Sequence, residues 1–163
     1  MTNGIIVDGA EQQGKSTFTE KLSKLTNLPI IHMDKEYGFI NGKFDYIESY
    51  FIDINKENGV IFDRHFISEI CYGKLFNRNN ITKEIIKENE CRLNKLNYIY
   101  IILEMKEKEW IEREEYIDES QNNKIKQYFR ELYESSNINN KFYIDPRNDN
   151  AIEFIFNKWK NLK

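Results

Sequence analysis

Five short apolar runs punctuate this chain, and between them hydrophobic residues return at helical spacing. The runs are Ile5 to Asp8, Pro29 to Met33, Val60 to Asp63, Tyr98 to Leu103 and Phe142 to Asp145. Each is bounded by polar or turn-forming residues, as buried strands are. Phe18, Leu22 and Leu25 follow at i, i+4, i+7, and Phe44, Ile47, Phe51 and Ile54 at i, i+3, i+7, i+10. Ile125, Tyr128, Phe129 and Leu132 lie at i, i+3, i+4, i+7, a spacing repeated by Ile152, Ile155, Phe156 and Trp159. These stripes predict amphipathic helices that bury one face. Segments 65–76 and 82–95 read as helices of less regular spacing, and Gly38, Asn41 and Gly42 mark a loop after the second strand. Strands alternating with helices predict an α/β fold: three layers, α/β/α, around a five-stranded parallel sheet with right-handed crossovers. A ligand then belongs beyond the carboxyl ends of the strands. No repeat or linker interrupts the pattern, so one domain over residues 1–163 is expected.

Composition narrows this picture. The chain has 27 acidic and 24 basic residues and a formal charge of -3, so no global basic field attracts nucleic acid or an anionic membrane. Cys71 and Cys91 are too few for a disulfide framework, and with two histidines no zinc spacing occurs. Both are expected to be buried, reduced thiols. No charged-then-apolar leader opens the chain, and no apolar run approaches the ~18 residues of a membrane span. A cytoplasmic protein, of a bacterium or of a phage-infected host cell, is the expectation.

The chemistry starts directly after the first strand. Gly9-Ala10-Glu11-Gln12-Gln13-Gly14-Lys15-Ser16 reads G-x-x-x-x-G-K-S, the phosphate-binding P-loop, between an apolar strand and an amphipathic helix. The glycines let consecutive N–H groups curl around phosphate oxygens, the lysine reaches the β- and γ-phosphates, and the serine hydroxyl can ligate Mg²⁺. Gly9, Gln12, Gln13, Gly14, Lys15, Ser16 and Thr17 are therefore assigned to a nucleoside triphosphate. A second constellation, Asp63-Arg64-His65, closes a later strand on the same rim. Asp63 there can hold Mg²⁺ and Arg64 can fork onto two phosphate oxygens, or the two form a surface ion pair.

Taken together, the P-loop with its carboxylate Glu11 and the later Asp63-Arg64-His65, Ser68 and Tyr72 resemble the thymidylate kinase group of nucleoside monophosphate kinases. The small phage-encoded members, which often read Asp-Arg-aromatic-x-x-Ser-Glu-x-x-Tyr-Gly, are similar to Asp63 through Gly73. The resemblance implies a P-loop NTPase fold of the monophosphate-kinase type, with ATP and Mg²⁺ as cofactors, a small nucleotide acceptor and a homodimer. It implies phosphorylation of dTMP or a related pyrimidine deoxynucleotide, modified pyrimidines included. Glu11 would bond the acceptor's 3′-hydroxyl, Arg64 its phosphate, and Asp63 would support Mg²⁺ with Ser16. His65, Ser68 and Tyr72 would complete the acceptor site. An acceptor-binding segment is implied at about 34–58, where Phe39 echoes the base-stacking phenylalanine. The family's Arg-Glu-Pro-Gly stretch is absent and Gly73 stands where glutamine is frequent, which leaves the base open.

Phosphoryl transfer concentrates charge on phosphoryl oxygens, so a second cation is expected near the P-loop, which offers none beyond Lys15. The family's lid corresponds to about 106–122, and Arg113 in Trp110 to Tyr116 is the candidate cation. Its alternative is an exposed helical charge paired with Glu109 or Glu114. Arg147, after Asp145-Pro146, is either near the donor adenine or a surface loop residue. Glu11 is alternatively a solvated loop glutamate, and Tyr72 a core aromatic. Two other functions stay open: a deoxynucleoside kinase, with Glu11 or Asp63 assisting a 5′-hydroxyl, and a nucleotide-binding switch of little turnover.

Overall fold

The computed structural model describes residues 3–32, 59–78, 81–113 and 117–162. The acceptor-binding segment 34–58, with Phe39 and the Phe44 to Ile54 stripe, and residues 114–116 of the lid lie outside the described residues. Strands β1 (Ile5–Gly9), β2 (Ile30–His32), β3 (Ile61–Asp63), β4 (Ile99–Leu103) and β5 (Lys141–Ile144) form one sheet in the order β2-β3-β1-β4-β5. Every neighbouring pair is parallel. The described helices are α1 (Lys15–Thr26), α2 (Phe66–Leu75), α3 (Lys83–Lys95), α4 (Glu119–Ser135) and α5 (Ala151–Asn161).

A strand sends alternate side chains to opposite faces, and both faces of this sheet are covered. Ile6, Phe62, Tyr100 and Ile102 pack on one side with Phe66 and Cys71 of α2, Leu93 of α3, and Ile125 and Phe129 of α4. Ile5, Val7, Ile61, Ile99, Ile101 and Leu103 pack on the other with Phe18 and Leu22 of α1 and Ile155 and Trp159 of α5. The result is the expected three-layer α/β/α arrangement. Polar groups also fasten it. Asn3 Nδ2 donates to the Trp159 carbonyl (3.1 Å) and Trp159 Nε1 to the Asn3 carbonyl (2.7 Å), tying the end of α5 to the start of β1.

Two expected core positions differ. Leu25 is 47% exposed, because the buried stripe of α1 closes on Thr26 instead. The Thr26 hydroxyl donates to the Leu22 carbonyl and accepts from the Leu28 amide as the chain reverses at Asn27 (φ 59°). Cys91 is exposed, since α3 turns Asn89, Glu90 and Leu93 inward. Cys71 is buried, as expected.

The register builds the rim. Val7 pairs with Asp63 and Asp63 with His32, so β3 and β2 finish level while β1 runs two residues further along β4, to Gly9. Asp8 lies in this last stretch of β1, and Arg64 and the P-loop follow the strand ends immediately. Among the described residues, no helix is long and apolar enough to cross a membrane.

Candidate phosphoryl-transfer site

The loop from Gly9 to Gly14 takes three residues with positive φ: Gly9 (145°), Gln12 (61°) and Gly14 (79°). Backbone alternating in this way turns successive N–H groups to one side and forms an anion-binding concavity. A Cβ on Gly9 would lie 2.6 Å from the Leu103 carbonyl oxygen, so the sheet itself requires glycine there. α1 begins at Lys15 and adds its own N-terminal N–H groups to the cradle.

Side-chain amides hold this loop in shape. Gln13 is buried; its Oε1 accepts from the Met105 amide (2.7 Å) and its Nε2 donates to the Glu11 carbonyl (3.0 Å). Asn122 of α4, also buried, accepts from the Glu11 amide (2.9 Å) and donates to the Glu11 carbonyl (3.2 Å). Gln12 Nε2 donates to the Ile111 carbonyl (2.8 Å) and its Oε1 accepts from the Ile111 amide (3.0 Å). Gln12 and Gln13, expected as triphosphate contacts, line the cleft, and their side-chain amides tie the loop to the segment that follows β4.

Beneath the loop sits Asp8, fully buried. Its Oδ1 accepts from the Gly9 amide (3.0 Å), and its Oδ2 from the amides of His65 (3.3 Å) and Ser68 (3.1 Å) and the Tyr100 hydroxyl (2.7 Å). One carboxylate thus joins the P-loop, the first turn of α2 and β4. Burial pushes its pKa up, against the opposing pull of Arg64, Tyr100, Gly9 and Lys15.

Arg64 lies at φ 75°, a left-handed conformation rare for a non-glycine residue. Its Nη2 donates to Glu11 Oε1 (2.6 Å) and its Nη1 to Ser68 Oγ (3.1 Å) and the Gly9 carbonyl (3.3 Å). The Tyr72 hydroxyl donates to the same Glu11 oxygen (2.6 Å), and the guanidinium carbon stands 5.4 Å from the Tyr72 ring centroid. Glu11, Arg64, Ser68 and Tyr72 therefore form one network. Glu11 is not a solvated loop residue: burial disfavours its charge, yet Arg64, Lys15 and Tyr72 outweigh that and hold its pKa below the usual carboxylate value. Nor do Asp63 and Arg64 pair with each other; Asp63 Oδ2 lies 2.9 Å from His32 Nδ1.

These groups surround a cleft of about 440 Å³ lined by residues 11–17, His32, Asp63, Arg64 and Arg113. Lys15, 8% exposed, donates to the Ala10 carbonyl (2.5 Å). Burial and the neighbouring Arg64 lower its pKa to about 7, although Glu11, Asp8 and Asp63 act in the opposite direction. Ser16 and Thr17 are exposed on the first turn of α1. Ser16 and Asp63 border the same cleft, and no cluster of three metal-ligating side chains exists among the described residues. That sparse donor set fits Mg²⁺, which keeps several waters and takes phosphate oxygens.

The remaining assignments divide. Arg113 lies in a bend, not in a helix, and reaches the wall of the cleft. Arg147 lines a neighbouring cavity of about 420 Å³ with Gly14, Thr17, Phe18, Met105 and Pro146. It is held there by Asp145 (Nη2 to Oδ2, 2.7 Å) and the Lys106 carbonyl. His65 is placed in the core: 1% exposed, with Phe62, Phe66 and Tyr100 rings against it, it supplies a backbone amide to Asp8 and no wall of the cleft. Sequence reading did not assign Asp8, His32 or Asn122. Asp8 and His32 carried a signal, each being a polar residue at the tip of an apolar strand. Asn122 carried none.

No protein-family model matches the chain, and no curated protein matches it in sequence. Solved structures do. The YorR protein of Bacillus subtilis, in complex with phosphorylated GDP, is similar over 99% of this chain and 95% of that one, at 21% identity and a TM-score of 0.70. Deoxyadenosine kinase from M. mycoides, with the products dCMP and dCDP bound, matches over 98% of this chain and 100% of its own, at 22% identity and a TM-score of 0.60. Thymidylate kinase from Ehrlichia chaffeensis matches over 99% of both chains at 15% identity and a TM-score of 0.55. At these identities the likeness shows the fold, a P-loop kinase fold of the monophosphate-kinase type. The thymidylate kinase resemblance is one of several within it.

Proposed function

We propose that this chain is an ATP-dependent kinase of deoxynucleoside monophosphates, with dTMP or a related, including modified, pyrimidine nucleotide as acceptor. The observation that supports it is Arg64: a guanidinium held in a strained backbone, beside the P-loop, with Glu11, Ser68 and Tyr72 arranged around it. Two parallel N–H groups of arginine match a phosphate as they match a carboxylate. An acceptor phosphate would take over the position on Arg64 that Glu11 now shares, and Glu11 would then be available to the acceptor's sugar hydroxyl.

The P-loop N–H groups and Lys15 would bind the donor triphosphate, with Thr17 at the start of α1 and Arg147 toward the donor base. Ser16 and Asp63 would hold Mg²⁺, whose chemistry there would be charge neutralisation on the triphosphate. An oxygen of the acceptor phosphate attacks the γ-phosphorus, the bond to the β–γ bridging oxygen breaks, and ADP leaves with that electron pair. The acceptor is already ionised at neutral pH, so Arg64 and Arg113 have only to position and neutralise. The lid, about 106–122, and the acceptor segment, about 34–58, would close the site within a single domain. A homodimer and a cytoplasmic location belong to the same reading.

A second reading, a deoxynucleoside kinase, is favoured by the His32–Asp63 pair, since a carboxylate joined to an imidazole can take the proton of a 5′-hydroxyl. Coupled ADP release across nucleosides and the monophosphates of every base, with Lys15→Ala as the blank, separates the two. Turnover of thymidine without turnover of its monophosphate sinks the first reading. Donor hydrolysis indifferent to any acceptor sinks both and leaves a nucleotide switch.

A further inference from the structure

Residues 104–113 leave the end of β4 and pass over the P-loop without forming a helix. Apolar burial accounts for only part of where the middle of this segment sits: Trp110 is half-buried, but Ile111 is 54% exposed and Glu112 and Arg113 are exposed too. It is tied down at its start, by Met105 on Gln13, and beyond residue 113 by buried Ile117. Between these points the Gln12 side chain forms both hydrogen bonds that a neighbouring strand would give Ile111: one to its carbonyl and one from its amide. Two residues further along stands Arg113, in the wall of the phosphate cleft.

We infer that Gln12 is a positioning residue: through its paired hydrogen bonds to the Ile111 backbone it latches the lid to the phosphate loop and holds Arg113 at the site of transfer. The inference rests on the reading of Arg113 as the cation of phosphoryl transfer. Its physical content is a coupling. Gln12 itself occupies a left-handed conformation at the turn of the P-loop, so the backbone that shapes the phosphate cradle also sets the angle at which its side chain meets the lid. A loop ordered by phosphate thereby places the lid, and a displaced lid withdraws a support from the loop. A side chain of the same length without the amide keeps the shape and loses the latch.

Gln12→Met is the test, with Gln12→Gly as the companion that suits the positive φ and also lacks both bonds. Removing two modest hydrogen bonds should lower kcat roughly 5- to 30-fold, with the donor KM changed by less than about threefold. In an Arg113→Met background the same change should cost less than about twofold, because the latch then has nothing to position. Independently of turnover, exchange of the Ile111 amide hydrogen should quicken by about tenfold or more in both Gln12 variants. Unchanged Ile111 exchange overturns the latch. An equal kcat loss with and without Arg113, or a loss confined to KM, overturns the positioning role. A wild-type protein that phosphorylates no nucleoside or nucleotide overturns the proposed function and the role of Arg113 with it, while Ile111 exchange still decides the latch.

Discussion

Lys15 gives the most direct test of the site's electrostatics. Burial and the neighbouring Arg64 lower the pKa of its ammonium to about 7 in the nucleotide-free protein, although the ammonium donates to the Ala10 carbonyl. A bound phosphate supplies the opposite charge and restores the protonated form, so nucleotide binding must take up a proton whenever the pH lies above about 7. At pH 8 a group of that pKa is about nine-tenths neutral, and uptake approaches about one proton per nucleotide. Because binding draws on the shrinking charged fraction, ADP affinity should fall about fivefold from pH 7 to 8 and about ninefold from pH 8 to 9. Calorimetric titration of ADP between pH 7.5 and 9, in two buffers of different ionisation enthalpy, counts the protons directly. The window lies above the second phosphate pKa of about 6, so ADP's own titration contributes little. Lys15→Met should bind more weakly and with a flat profile. A wild type that takes up no proton at pH 8, or a Lys15→Met profile that slopes as steeply, refutes the electrostatic account.

Asp8→Asn leaves at least one donor facing an amide hydrogen and should destabilise the fold by about 2–4 kcal/mol in urea unfolding; a change below about 0.5 kcal/mol would show that the four-donor carboxylate is not structural. Gly9→Ala meets the Leu103 carbonyl at 2.6 Å and a φ of 145°, so a fall in the thermal midpoint together with loss of ADP binding is expected, and a variant that binds normally contradicts the geometry. Arg64→Lys replaces a fork that reaches Glu11, Ser68 and Gly9 with a single ammonium. Acceptor KM should rise about 10- to 100-fold while donor KM stays near its wild-type value, and the reverse pattern would place Arg64 on the donor. Arg113→Met should lower kcat by about 10³ to 10⁵, as loss of a transition-state arginine does; a loss below about tenfold assigns Arg113 to the surface.

Much of the fold is visible in the order of residues because its signals are local. Apolar runs such as Ile5-Ile6-Val7 and Tyr100-Ile101-Ile102 mark strands buried on both faces, and stripes such as Ile125, Phe129 and Leu132 mark helices. The P-loop is equally local, since one turn must supply its glycines, lysine and serine at fixed spacing. Asp63-Arg64 was legible for the same reason, as a strand tip on the rim of a parallel sheet. Where the pattern misplaced residues, burial was decided by neighbours the spacing does not encode. Leu25 yields its place to Thr26 as the chain reverses at Asn27, and His65 turns into a ring cluster that Tyr100 completes from another strand.

The polar architecture of the site belongs to the tertiary structure. Glu11 meets Arg64 and Tyr72 across 53 and 61 positions, Asp8 meets Tyr100 across 92, and Asn122 reaches Glu11 across 111. A hydrogen bond depends on the position and direction of two side chains within a few tenths of an ångström, and no sequence pattern along one element carries that. By itself, then, the sequence determined the layers, the phosphate cradle and which residue types stand at the rim, because hydrophobic periodicity and loop stereochemistry act over a few residues. Only packing of β1, β3, α2, α4 and the segment after β4 against one another decided that the two P-loop glutamines serve as tethers, that Asp8 braces the loop from below, and that Arg113 faces the cleft.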